Sequence, residues 1–67
     1  ITLEQARDAA LAKVPGATAQ DIHVTYEIDD GKELYEGTIY YDRMEYEFEI
    51  DAATGDFIQW EKESIFD

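Results

Sequence analysis

The sequence predicts an α+β fold in which one N-terminal helix packs on one face of a four-stranded antiparallel meander. From Met44 to Asp51, apolar residues and carboxylates alternate strictly, which is the period of a strand with one buried face. Three turn signals separate the apolar stretches: Asp30-Gly31, Asp42-Arg43 and Ala53-Thr54-Gly55. Folding at these turns brings the large apolar residues to one face, and a one-residue slip would send a strand's side chains to the other. The agreement of all three turns therefore specifies the register.

The helix is predicted over residues 2–13. Thr2 and Gln5 have the spacing of a capping box, in which each side chain serves a backbone amide of the first turn. Pro15-Gly16 ends the segment. The apolar residues that fall in one stripe at about 100° per residue are Leu3, Ala6, Ala10, Leu11 and Val14. The alanines allow a close approach to the sheet, where aromatic residues supply the bulk.

The strands are predicted at about residues 22–29, 33–41, 44–51 and 57–63. Asp30-Gly31 and Asp42-Arg43 read as two-residue hairpin turns, and Gly55 as the left-handed residue of a three-residue turn with a bulge. Gly37 is expected to leave a gap that a neighbouring aromatic ring covers. The expected pairs on the helix side include Tyr26 with Tyr35, Ile39 with Tyr46, Phe48 with Trp60 and Ile50 with Ile58.

Composition limits the classes of function. The 67 residues form one predicted domain over 1–67, and the absence of cysteine excludes disulfides and thiolate metal sites within the chain. Seventeen acidic residues against five basic ones give a net charge of −12, which disfavours nucleic acids and anionic membrane surfaces as partners. No apolar run approaches the ~20 residues of a membrane span. The chain begins without a signal peptide, and we expect it to be an excised domain of a longer protein.

Catalytic chemistry is not expected, and neither is a cofactor. His23 is the only histidine, and the carboxylates are predicted on an open face rather than across a cleft. Two acidic turns, Asp29-Asp30-Gly31 and the segment from Asp51 to Asp56, invite comparison with calcium loops, but neither has the spacing of an EF-hand. Turn geometry accounts for their Asp and Gly residues, while weak divalent-cation binding stays open.

The face opposite the predicted helix is the candidate partner-binding face. Its carboxylates have two interpretations: a solvated surface that prevents aggregation, or an electrostatic surface for a basic partner or divalent cations. Leu34, Tyr40 and Phe57 are predicted to add apolar contact points, and the two edge strands offer unpaired backbone to an extended peptide. The predicted site residues are Glu36, Tyr40, Glu45, Glu47, Glu49, Phe57 and Glu61.

The sequence resembles the PepSY domain family. The most specific match is the segment from Tyr46 to Gly55, which follows the pattern Tyr-Glu-x-x-Ile-Asp-Ala-x-Thr-Gly, and the similarity extends from Thr2 to about Glu61. Gly37 departs from the family, which often has a larger apolar residue there, and so does the strongly acidic charge. The resemblance implies a helix on an antiparallel sheet and provides no catalytic residues to carry over.

The resemblance also implies a setting. PepSY domains occur in propeptides of thermolysin-like metallopeptidases and in secreted, lipid-anchored or membrane-tethered bacterial proteins. The expected function is therefore a non-catalytic extracytoplasmic binding module that inhibits or regulates a peptidase, with a secreted metallopeptidase or a neighbouring domain as partner. The alternative is a structural spacer or interaction domain of a cell-surface or secreted protein, in tandem copies.

Overall fold

The computed structural model describes residues 1–65 and confirms the predicted fold class. Helix α1 (Leu3–Leu11) precedes strands β1 (Ile22–Asp29), β2 (Lys32–Tyr41), β3 (Met44–Asp51) and β4 (Phe57–Ser64). The four strands form one antiparallel sheet in the order β1-β2-β3-β4. The helix packs on one face of the sheet, where it contacts β1 and β2. The opposite face carries no helix.

The helix begins with the predicted capping box. The Gln5 amide donates to Thr2 Oγ1 at 3.1 Å, and the Thr2 amide donates to Gln5 Oε1 at 2.8 Å. The α-helical segment ends at Leu11, two residues earlier than expected. Beyond it the Val14 amide donates to the Leu11 carbonyl at 3.0 Å, a tightened last turn that places Val14 in the core with only 3% exposure.

Two hairpin turns fix most of the register. Asp30 and Gly31 have φ of 53° and 77°, and Asp42 and Arg43 have φ of 52° and 65°, as a type I′ turn requires at both central positions. The predicted pairs Tyr26–Tyr35, Ile39–Tyr46 and Phe48–Trp60 are all present.

The β3–β4 connection differs from the prediction. The Asp51 amide donates to the Asp56 carbonyl at 2.8 Å, so Ile50 pairs with Phe57 instead of Ile58, and the register shifts between Glu49 and Ile50. The extra residue in β4 turns Phe57 towards the helix side, where it packs against the core. The predictions that Phe57 faces outward and that Ile58 is an inward core residue were therefore wrong, and Ile58 is 47% exposed.

The core lies between α1 and the helix side of the sheet, and its centre is Ile39 and Ile50, each 0% exposed. Gly37 confirms the prediction of aromatic cover, because the ring of Phe48 occupies the position that a Cβ on Gly37 would take. Leu34 was predicted to be an exposed contact point, but it is only 7% exposed. It lies on an inner strand, paired with Glu27 of β1 on one side and with Asp51 of β3 on the other, so it has no open flank. The other members of the core cluster are Ala6, Ala10, Val14, Tyr35, Phe48 and Ala52.

Candidate binding surface on the helix-free face of the sheet

The sheet face opposite α1, here called the outer face, is rich in carboxylates. The register places Glu36 opposite Glu49, Glu47 opposite Glu61 and Glu45 opposite Glu63. Like charges directly opposite each other destabilise a sheet, so this arrangement is not explained by stability of the strands. The carboxylates that the register and alternation place on this face are Glu27, Asp29, Glu36, Glu45, Glu47, Glu49, Asp51, Glu61 and Glu63.

A shallow concavity of about 280 Å³ lies at the centre of the outer face. Gly37 and Phe48 contribute backbone to its floor, because the position of the Gly37 Cβ is filled from the helix side by the Phe48 ring. The remaining lining side chains are polar and come from all four strands: His23, Thr25, Glu27, Glu36, Thr38, Glu47, Glu49 and Gln59. The concavity therefore suits a charged or polar group better than an apolar one.

Basic side chains lie away from the centre of this face. At one end of the sheet, the Nζ of Lys32 lies 3.7 Å from Oδ2 of Asp51. Lys13 lies over the rings of Phe57 and Trp60 on the helix side, at 4.7 and 5.0 Å from their centroids. Among outer-face positions of the described strands, Lys32 is the only lysine or arginine, so the central carboxylates have no basic residue beside them in the sheet.

Tyr40 confirms its predicted outward position. It is 53% exposed and lies opposite Glu45. A hydrogen bond to Glu45 raises the pKa of Tyr40 above its ordinary value of 10.0, and the charges of Glu45 and Glu47 add to the effect. The phenol is therefore a neutral hydrogen-bonding group within an anionic surface.

The structure brings together six of the seven predicted site residues. Phe57 is the exception, because the bulge places it on the helix side. The role of the other six in partner binding stays a prediction. The residues found on the outer face are Glu36, Tyr40, Glu45, Glu47, Glu49 and Glu61.

Sequence reasoning missed an exposed apolar row on β1. Tyr26 was predicted to face the helix side, and the register places both Tyr26 and Ile28 there, but the two are 46% and 65% exposed. The nine-residue helix is only ~13 Å long, whereas the strands of 8 to 10 residues extend about 26–34 Å. The signal in the sequence was the difference between these two lengths, because a helix shorter than the strands leaves part of the sheet face uncovered.

The loop from Asp51 to Asp56 has a structural explanation. The Asp51 carboxylate accepts hydrogen bonds from the Ala53 amide at 2.8 Å and from the Thr54 amide at 3.4 Å, an Asx-turn arrangement. Gly55 has φ of 82°, as predicted. Within residues 1–65, no group of three or more His, Cys, Asp or Glu side chains has the arrangement to hold a metal ion.

The same loop closes the core. Ala52 is 9% exposed, and its amide donates to the Glu33 carbonyl at 3.0 Å. Its carbonyl accepts from the Ile1 nitrogen at 2.6 Å, and the Ile1 carbonyl accepts from the Tyr35 hydroxyl at 2.9 Å. The Ile-Asp-Ala-x-Thr-Gly part of the sequence signature therefore acts in loop closure and packing.

Together, helix α1 and the four-stranded sheet form a small α+β domain with an open anionic face. The chain belongs to the PepSY family, since the family model described as "Peptidase propeptide and YPEB domain" matches residues 1–61. PepSY domains are propeptide-like regulatory or interaction modules, generally non-catalytic, that typically occur in extracytoplasmic proteins. In residues 1–65, no helix has the length and apolar character needed to span a membrane.

The chain is also similar to "Uncharacterized protein Spy1430" of Streptococcus pyogenes serotype M6. The two are 38% identical over 66 residues, which is 96% of this chain and 51% of the relative. This chain thus spans about half the length of that curated relative. No solved structure matches the chain.

Proposed function

We propose that this chain is a non-catalytic extracytoplasmic module that binds a protein through its outer face and thereby regulates a peptidase. The observation that carries the proposal is the anionic outer face, whose carboxylates surround a concavity and have Lys32 as their only basic neighbour in the strands. A one-sided field of this kind attracts a basic partner surface and raises the association rate. Membership of a peptidase-propeptide family supports a peptidase as the partner.

A non-catalytic role is consistent with the arrangement of the ionisable groups. The carboxylates lie on an open sheet face, where water screens them and no cleft separates an acid from a base. His23, the only histidine, lies opposite Thr38 on this face.

The test is inhibition of a mature thermolysin-like zinc metallopeptidase by the isolated chain, with amide shifts measured in parallel. The informative variant is Glu36→Gln/Glu49→Gln, which removes two charges from the outer face. Its matched control is Glu4→Gln/Asp8→Asn, which removes two charges from the helix. We expect weaker inhibition and a weaker salt dependence only for the outer-face variant. Equal behaviour of the two variants would contradict the proposed surface.

The alternative function is a structural spacer or interaction domain of a cell-surface or secreted protein. The location of the signature residues favours it, because Ala52 and Gly55 act in loop closure and packing and the Asp51 carboxylate accepts hydrogen bonds from amides of the same loop. Binding of a neighbouring domain without any effect on peptidase activity would support this alternative.

A further inference from the structure

The two edges of the sheet differ in how well they are protected. Strand β4 pairs irregularly next to Phe57, and the register places Lys62 on the helix side opposite Tyr46. A bulge and an inward-pointing charge both disfavour pairing with a further strand. Strand β1 pairs with β2 without interruption from Ile22 to Asp29 and contains neither proline nor lysine. It is therefore the less protected edge.

The open side of β1 presents the backbone groups of Val24, Tyr26 and Ile28. Asp29 and Lys32 flank a type I′ turn and form a hydrogen-bonded pair, after which bonded and non-bonded pairs alternate along the ladder. The bond from the Tyr40 amide to the Asp21 carbonyl, 2.9 Å long, continues this alternation at the other end. Within residues 1–65, the backbone hydrogen bonds of β1 itself are those with β2.

The side chains of those same residues form an apolar row on the helix side. Val24 packs against the core, but Tyr26 and Ile28 are 46% and 65% exposed. The ring of Tyr26 contacts that of Tyr35 at a centroid distance of 5.6 Å, so the exposed row is continuous with the core. A further strand would bury it.

The outer side of β1 has the opposite character. Glu27 and Asp29 alternate with the apolar residues, and Thr25 lies opposite Glu36 of β2. Glu27, Thr25 and His23 also line the central concavity. A strand added at this edge would place every second side chain beside these carboxylates, where Lys or Arg complements the charge.

We infer that the β1 edge binds an extended partner segment as an antiparallel fifth strand, in which apolar residues alternate with lysine or arginine. The inference rests on the proposed function, because it names the chemistry of the partner that the sheet accepts. Backbone hydrogen bonds would supply affinity, and the alternating side chains would supply specificity. A second copy of this chain fits poorly, because each copy carries a net charge of −12.

The test uses a synthetic peptide that alternates valine and lysine over about eight residues, the length of β1. The control peptide has glutamate in place of each lysine. We expect the lysine peptide to slow hydrogen exchange at the amides of Val24, Tyr26 and Ile28, and the glutamate peptide to have no effect. Amides on the open side of β4, such as that of Lys62, should be unchanged.

Two matched changes separate edge pairing from simple charge attraction. N-methylation of the valines, whose amides would face β1, should weaken binding by about tenfold or more, as loss of backbone hydrogen bonds implies. N-methylation of the lysines, whose amides would face solvent, should weaken it much less. In the protein, Ile28→Pro removes the backbone amide of Ile28, an open-side donor that is not bonded to β2, and it should weaken peptide binding by a similar factor. The control Lys62→Pro, on the open side of β4, should leave peptide binding unchanged.

Several outcomes would overturn the inference. These are equal binding of the two N-methylated peptides, effects confined to outer-face carboxylates or to β4, and absence of binding by the lysine peptide. Each outcome leaves the proposed function testable on its own. If metallopeptidase inhibition depends on Glu36 and Glu49 but is unaffected by Ile28→Pro, the outer face remains the proposed binding surface and only the inference about the β1 edge fails.

Discussion

Replacement of Gly37 by alanine should destabilise the domain, although alanine normally stabilises a strand relative to glycine by about 0.5–1 kcal/mol. A Cβ at this position would lie closer than 3.0 Å to Phe48 Cζ and 2.7 Å from the His23 carbonyl oxygen. Phe48 is 3% exposed, and its ring stacks on Trp60 at a centroid distance of 5.9 Å, so the ring has little room to move.

The size of the effect follows from these contacts. Overpacking of a core costs about 1–3 kcal/mol, and the middle of this range exceeds the gain from replacing glycine by ~1 kcal/mol. A domain of this size has only about 3–5 kcal/mol from a single core, and each kcal/mol lowers Tm by about 4–8 °C. Gly37→Ala should therefore lower Tm clearly while the domain still folds at low temperature.

Urea unfolding followed by the fluorescence of Trp60, the only tryptophan, provides the assay. Phe48→Leu removes the ring end that meets the new methyl group, so the cost of Gly37→Ala should be ~1 kcal/mol smaller in that background, a coupling that a double-mutant cycle measures. A Gly37→Ala protein that melts at the same temperature as the parent, or higher, would refute the proposed cover of Gly37 by the Phe48 ring.

Four further predictions test the outer face and the helix. Glu47→Gln should leave stability unchanged or raise it slightly, because Glu47 lies opposite Glu61; a lower Tm for this variant would contradict the assigned repulsion. The Tm of the parent should rise between low salt and about 0.5 M sodium chloride, because salt screens the repulsion between such carboxylates. Thr2→Ala removes the capping box and should cost ~1 kcal/mol in urea unfolding, whereas an unchanged midpoint would mean that the cap contributes nothing. The raised pKa of Tyr40 implies that its contribution to stability is complete below pH 10 and is lost as the pH rises through the folded-state value. A hydrogen bond to Glu33 raises the pKa of Tyr26 as well, so ultraviolet titration should detect late-titrating phenols in the parent, and Glu45→Gln should lower the pKa of Tyr40 while that of Tyr26 stays raised.

The fold and most of the outer face could be predicted because their determinants are local. A two-residue turn with positive φ at both positions fixes which residues face each other across a hairpin. Alternation then assigns each side chain to a face. For this reason the carboxylates of β2 and β3 were located correctly, together with Tyr40.

The site residue Phe57 could not be placed in the same way. Its orientation depends on how the loop after Asp51 closes, and two backbone bonds decide that: Asp51 amide to Asp56 carbonyl, and Gly55 amide to Asp51 carbonyl at 2.7 Å. Several loop closures share the same turn residues, and they differ by one residue in the register of the following strand.

The sequence by itself determined the fold class, the order of the strands, the register at both type I′ turns and the anionic character of one face. Only the tertiary structure decided which apolar residues are covered. Leu34 is buried although alternation places it on the open outer face, at a position that is paired on both sides. Tyr26 and Ile28 remain exposed because a nine-residue helix is shorter than the strands beneath it. Alternation reports the face that a side chain points to, whereas burial depends on what the rest of the chain places over that face.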